Sequence, residues 1–186
     1  SVGGDIYTTS INAGSGNDAI YAEYVGTSTI TAGAGNDSLI VEDTVYGETQ
    51  IDVAEGDNFI SIGGDFGTSS LLSGAGNDTV IVGEDVHGYE SRALIDVGEG
   101  DNLVSAGGGI YTSSINAGSG NDAIYAEWVG TSTITAGAGN DSLIVEQDVY
   151  FPTQIDLGEG DNLLSIGNYL GSSTITAGAG NDSVII

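Results

Sequence analysis

A short glycine phrase returns nine times along the chain, and that recurrence restricts what the chain can fold into more than any other feature. It reads AGSGND at 13–18 and 117–122, AGAGND at 32–37, 136–141 and 177–182, and SGAGND at 73–78. Shorter copies read AEGDN at 54–58 and GEGDN at 98–102 and 158–162. Successive copies lie 19, 21, 20, 24, 20, 19, 21 and 20 residues apart. A longer period overlies the first. Gly14 and Gly118, Gly33 and Gly137, and Gly74 and Gly178 are each 104 residues apart, the mark of a five-unit block duplicated whole. Units this short cannot bury an apolar face alone, so they must stack on one another.

Both flanks of each phrase alternate with period two, the strand signature that sends successive side chains to opposite faces. After the loop the inward pairs run from Ile20/Ala22 in the first unit to Val184/Ile186 in the last; before it they run from Ile11/Ala13 to Ile175/Ala177. A third apolar row, Ile6, Val25, Val45, Phe66, Val86, Ile110, Val129, Val149 and Leu170, sits in the variable second connection. The expected fold is all-β: a right-handed parallel β-solenoid, or β-roll, of nine coils of about 20 residues with two short strands per coil. One repeat array should occupy residues 1–186. Stacking at about 4.8 Å per coil makes a rod about 40 Å long.

Composition narrows the class further. The 32 glycines exceed the usual share, yet the absence of a triplet period and the single proline, Pro152, exclude collagen, and 39% apolar residues in regular alternation exclude disorder. Twenty-seven carboxylates face one cation, Arg92, for a formal charge of −26. Such self-repulsion opposes a compact state unless counter-cations bind, and it argues against nucleic acid and anionic membrane as partners. There is no cysteine and no apolar run long enough to span a bilayer, and the opening residues do not read as an export signal. With one histidine, no cysteine and no lysine, the common nucleophile-and-base pairs are missing. The acids also recur in every unit, whereas an active site is a unique constellation, so no enzyme is expected.

Calcium takes six to eight hard oxygens from carboxylates and carbonyls. A Gly-x-Gly turn bares carbonyls, and the residue closing each phrase adds a side-chain oxygen. These closing residues are Asp18, Asp37, Asn58, Asp78, Asn102, Asp122, Asp141, Asn162 and Asp182. The carbonyls lie near Gly14, Gly16, Gly33, Gly35, Gly56, Gly74, Gly76, Gly98, Gly100, Gly118, Gly120, Gly137, Gly139, Gly158, Gly160, Gly178 and Gly180. Nine stacked loops leave eight gaps, hence up to about eight Ca2+ ions along one edge.

The phrase resembles the RTX, or haemolysin-type, calcium-binding repeat GGxGxDxUx, with Gly14, Gly16, Asp18 and Ile20 on the second, fourth, sixth and eighth positions. The resemblance implies ions between successive turns, held by the aspartate and loop carbonyls. One motif per coil, instead of two, is similar to the single-edge calcium-dependent repeats of the ice-binding regions of giant bacterial adhesins. In that family the x of GxGND is Thr; here it is Ser, Ala or Glu, so the scaffold carries over and the ice-binding surface does not. Three coils place Asn58, Asn102 and Asn162 at the ligand position, where Oδ1 would coordinate without charge. In those coils Asp52, Glu55, Asp57, Asp96, Glu99, Asp101, Asp156, Glu159 and Asp161 form an outer acidic set, read either as peripheral metal sites or as a solvated rim.

The resemblances imply a non-enzymatic calcium-binding structural segment of a secreted bacterial surface protein: an adhesin, surface layer or extracellular filament that folds on binding calcium. A calcium-dependent ice-binding protein and a carbohydrate-binding adhesin module are the alternatives. Expected partners are other copies of the chain, end to end or laterally, and a glycan or other cell-surface ligand; nucleic acid and membrane insertion are not expected.

Overall fold

The computed structural model describes residues 4–89 and 91–186; the expected start of the array at Ser1 lies outside them. The chain winds into nine coils built from three parallel nine-stranded sheets, with no helix among the described residues. The first sheet runs from Ile6–Tyr7 to Tyr169–Leu170, the second from Ser10–Ser15 to Thr174–Thr176, and the third from Ala19–Ala22 to Ser183–Ile185. Each glycine loop joins the second sheet to the third.

The parallel solenoid is as expected, but each coil carries three strands instead of two. The third apolar row is itself a ladder of strands two or three residues long, pairing Ile6 with Val25, Val25 with Val45, and Phe66 with Val86. With one inward residue between turns, such a strand is too short to show an alternation in sequence.

Register is strict, so each inward position forms a column of like residues. In the second sheet Ile11, Ile30, Ile51, Leu71, Ile95, Ile115, Ile134, Ile155 and Ile175 stack in succession. Ile20, Leu39, Ile60, Val80, Val104, Ile124, Leu143 and Leu164 form the matching column of the third. Phe66 fills the first sheet's column with the largest fully buried side chain. Each such side chain contributes roughly 1.5–3 kcal/mol when removed from water. The 24-residue spacing does not disturb the register: the extra residues fall between Val86–His87 and Ala93–Asp96, and Ser70 still pairs with Leu94.

Corners pose a separate problem, because a backbone N–H there is turned out of the sheet ladder, and burying it unpaired costs roughly 1–3 kcal/mol. Hydroxyls solve it between the first two sheets. The N–H of Thr9 donates to Ser28 Oγ at 3.1 Å, that of Thr49 to Ser69 Oγ at 3.2 Å, and that of Ser113 to Ser132 Oγ at 3.1 Å. Ser28, Ser69, Ser113, Ser132, Thr49 and Thr153 are all buried.

The outward residues of the third sheet divide into two columns. One contains Tyr21, Ile40, Ile81, Tyr125 and Ile144, with serine at 61, 105 and 165; the other carries Phe59, Leu103 and Leu163 in the coils where the first has serine. In the first sheet the Tyr7 and Tyr46 rings meet edge to face at 5.7 Å, over the space Gly26 leaves between them. Ile115→Ala should cost about 2–5 kcal/mol in urea unfolding at saturating calcium, whereas Tyr125→Ser, on the outer face, should stay within about 0.5 kcal/mol.

Candidate metal centre

Every loop glycine singled out above has a positive φ, from 54° at Gly178 to 145° at Gly180. The stacking makes a second demand. A Cβ on Gly33 would lie 1.6 Å from the Gly14 carbonyl oxygen, and one on Gly137 would lie 1.8 Å from that of Gly118. Carbonyl oxygens of one coil therefore fill the space that a side chain of the next would need. Ala54 is the exception at the first glycine position, with φ of 59°.

The two residues closing each phrase build two hydrogen-bond ladders that run in opposite directions. In the inner ladder each backbone N–H donates to the Oδ1 of the closing residue one coil on: Asp18 to Asp37 at 2.7 Å, Asp37 to Asn58 at 2.9 Å, Asn58 to Asp78 at 2.8 Å and Asp78 to Asn102 at 2.9 Å. It continues through Asp122, Asp141 and Asn162 to Asp182. In the outer ladder the donor is the later coil, as where Asn36 N–H meets Asn17 Oδ1 at 3.0 Å and Asn77 N–H meets Asp57 Oδ1 at 2.8 Å. The outer column was absent from the sequence reading as a structural element, although Asn or Asp precedes the closing residue in every copy.

A carboxylate oxygen is left over in five of the six aspartate coils. Oδ2 of Asp18, Asp37, Asp78, Asp122 and Asp141 is buried with no hydrogen-bond partner among the described residues. Asp37, Asp78, Asp122 and Asp141 are each no more than 2% exposed. An ionised carboxylate cannot be buried half-paired without large cost, and a cation met by loop carbonyls would satisfy it. Burial pushes Asp122 up to about 6, against hydrogen bonds from Asn102, with the Asp141 charge adding to the rise. Burial likewise raises Asp78 and Asp141.

Asparagine at the same position has both ends of its amide engaged. Oδ1 of Asn58, Asn102 and Asn162 is engaged by the backbone of the preceding coil. The amide nitrogen points at carbonyls: Asn58 Nδ2 donates to Gly56 O at 2.9 Å, Ala54 O at 3.2 Å and Ser73 O at 3.3 Å.

The outer acids are held by local bonds. Asp57, Asp101 and Asp161 belong to the outer ladder. Asp52 and Asp156 accept from the N–H of Ala54 and Gly158, and Asp96 from Asn116 Nδ2. Glu55, Glu99 and Glu159 are exposed. Among the described residues no three His, Cys, Asp or Glu side chains converge to hold a metal. An inner site would therefore draw on one carboxylate from each aspartate coil, with backbone oxygens supplying the rest.

A family profile described as the RTX calcium-binding nonapeptide repeat (4 copies) matches residues 4–23, 25–54, 112–128, 130–148 and 170–185, together more than half of the chain. The chain belongs to the RTX calcium-binding repeat family. The RTX stack is also similar to the crystal structure of a hyperactive, Ca2+-dependent, β-helical antifreeze protein from an Antarctic bacterium, with TM-score 0.63 and 24% identity over 99% of this chain and 71% of that one. That likeness concerns the fold. No curated protein matches the chain.

His87 and Arg92, around the insertion, find partners away from the RTX loops: His87 Nε2 lies 3.5 Å from Asp65 Oδ2, and Arg92 Nη1 donates to Thr133 Oγ1 at 3.0 Å. No helix among the described residues is long and apolar enough to cross a membrane.

The raised carboxyl of Asp122 sets a pH dependence for the ion-free chain. The fold holds this proton more tightly than the unfolded chain, whose carboxyl titrates near 3.8, so its contribution is present below that value and lost as pH rises through about 6. In excess chelator, β-structure by circular dichroism should be greater at about pH 4 than at about pH 7, with the loss centred near 6. A flat profile would contradict the buried placement of these carboxyls.

Proposed function

We propose that the chain is a non-enzymatic, calcium-dependent structural rod from a secreted bacterial surface protein, folding when it meets the higher calcium outside the cell. The observation that carries this reading is the row of buried aspartate oxygens with no partner, repeated through the stack. Asp18, Asp37, Asp78, Asp122 and Asp141, with the loop carbonyls beside them, would hold the metal. Bound there, calcium supplies the positive charge that a buried carboxylate column lacks. Metal binding free energy then becomes folding free energy, and a net charge of −26 makes the ion-free chain expand.

The outward face of the second sheet weighs against carrying ice binding over from the antifreeze protein. Thr29 and Thr31 stack on Gln50 and Asp52, and Ser114 and Asn116 on Leu94 and Asp96, so no regular threonine array forms. A glycan-binding role draws support from Tyr89, Phe151 and Tyr169, which are 82%, 69% and 57% exposed.

Circular dichroism during calcium titration tests the main reading. Coil in chelator should convert to β-structure with calcium, and magnesium at equal concentration should do far less, because it demands a tight octahedral shell and sheds water reluctantly. The same β-spectrum with chelator as with calcium at neutral pH would refute it.

A further inference from the structure

The two kinds of closing residue meet the loop carbonyls in different ways. At Asn102 the amide nitrogen donates to Gly100 O at 2.9 Å and to Ala117 O, in the next coil, at 3.3 Å. At Asn162 it donates to Gly160 O at 3.2 Å and Gly158 O at 3.5 Å. With Asn58 these define one recurring set of acceptors: the carbonyls two and four residues back, and that of the first loop residue one coil on. An aspartate at this position has Oδ2 where the asparagine has Nδ2. That oxygen cannot donate, and in the first five aspartate coils, at Asp18, Asp37, Asp78, Asp122 and Asp141, it is left without a partner.

We infer that the three asparagine levels are built to hold no ion, the side-chain amide standing in for a divalent cation, so that five calcium ions sit between coils and not one in every gap. The inference rests on the calcium reading above and narrows it. A calcium ion needs oxygens facing it, and at Asn58, Asn102 and Asn162 two N–H groups occupy that direction while Oδ1 is already spent on the preceding coil. Removing the ion's charge requires removing the carboxylate's too, which the change to asparagine does. The displaced carboxylate reappears one residue earlier, at Asp57, Asp101 and Asp161, on the exposed ladder. Asparagine and aspartate thus change places between ladders, each coil keeping one of both.

The order of levels follows a rule. Gaps after Asp18 and Asp37 take an ion, the gap after Asn58 does not, the gap after Asp78 does, and the gap after Asn102 does not. Those after Asp122 and Asp141 do, and that after Asn162 does not. No more than two ion levels are consecutive. At a rise of about 4.8 Å per coil, longer runs would stack divalent cations, and their carboxylates, in unbroken file.

Counting ions tests this. Protein refolded in excess calcium and passed through calcium-free gel filtration should retain five ions per chain by atomic emission. Asn58→Asp and Asn102→Asp should each retain six, and the triple variant N58D/N102D/N162D eight. Asp78→Asn should retain four and reach half of its β-structure at a lower calcium concentration than wild type, because its amide needs no metal. Eight ions in wild type, an unchanged count in Asn58→Asp, or a higher calcium requirement of Asp78→Asn would each overturn the inference while leaving calcium binding intact. No ions in wild type or in the triple variant would overturn it together with the reading it rests on.

Discussion

Parallel stacking in register places every side chain directly against its own counterpart one coil away, and the rest of the architecture answers to that constraint. For apolar positions the consequence is favourable, since isoleucine meets isoleucine and the columns make a continuous core. For charged positions it is adverse. Two like charges about 4.8 Å apart at an effective dielectric of about 20 repel by about 3–4 kcal/mol. That offsets the burial of one or two core side chains per step. A buried acid column can exist only if it is interrupted or neutralised, and this chain interrupts it with asparagine at three levels. The mutual influence of neighbouring aspartates is visible at Asp122, which the Asp141 charge pushes further up.

The same constraint explains the glycines. Backbone approaches so closely in the loops that the carbonyl of Gly16 lies 2.3 Å from where a Gly35 Cβ would stand. A positive φ alone tolerates asparagine or, at a cost, alanine, as Ala54 shows. At the glycine positions the carbonyl of the coil before occupies the space a side chain would need. Turn geometry and metal geometry are therefore one requirement, because the carbonyls that crowd out a side chain are those that an ion or an amide can use.

What could be read from residues was whatever repeats at a fixed offset with a recognisable period. The three inward columns, the coil spacing and the aspartate column all meet that description. The first sheet's strand was visible only as a row of single apolar residues, because two residues of strand carry no alternation. The corner hydroxyls went unread for a different reason: Ser28, Thr49 and Ser132 look like ordinary turn residues until the structure shows backbone N–H groups facing them. Asparagine at the ligand position was read by its oxygen, a fair choice from inventory, since an amide offers either end. Orientation decides between the ends, and orientation is set by the N–H of the preceding coil, a contact between residues about 20 apart.

That N–H is the pivot of the site. It takes one oxygen from every closing residue after the first, whether carboxylate or amide, and so directs the second atom toward the carbonyls. If that second atom is oxygen, the level carries a buried negative charge and needs a cation; if it is nitrogen, the level closes on itself. A scaffold of identical loops can therefore alternate between metal-requiring and metal-independent steps through a change of one atom, with backbone, register and core untouched. On the proposed reading the amide levels would hold whatever the calcium concentration, while the carboxylate levels would make the whole stack depend on it. Because the coils share one continuous core, the least stable levels set the condition under which all of them stack, so a minority of metal-independent steps lowers the number of ions required without removing the requirement.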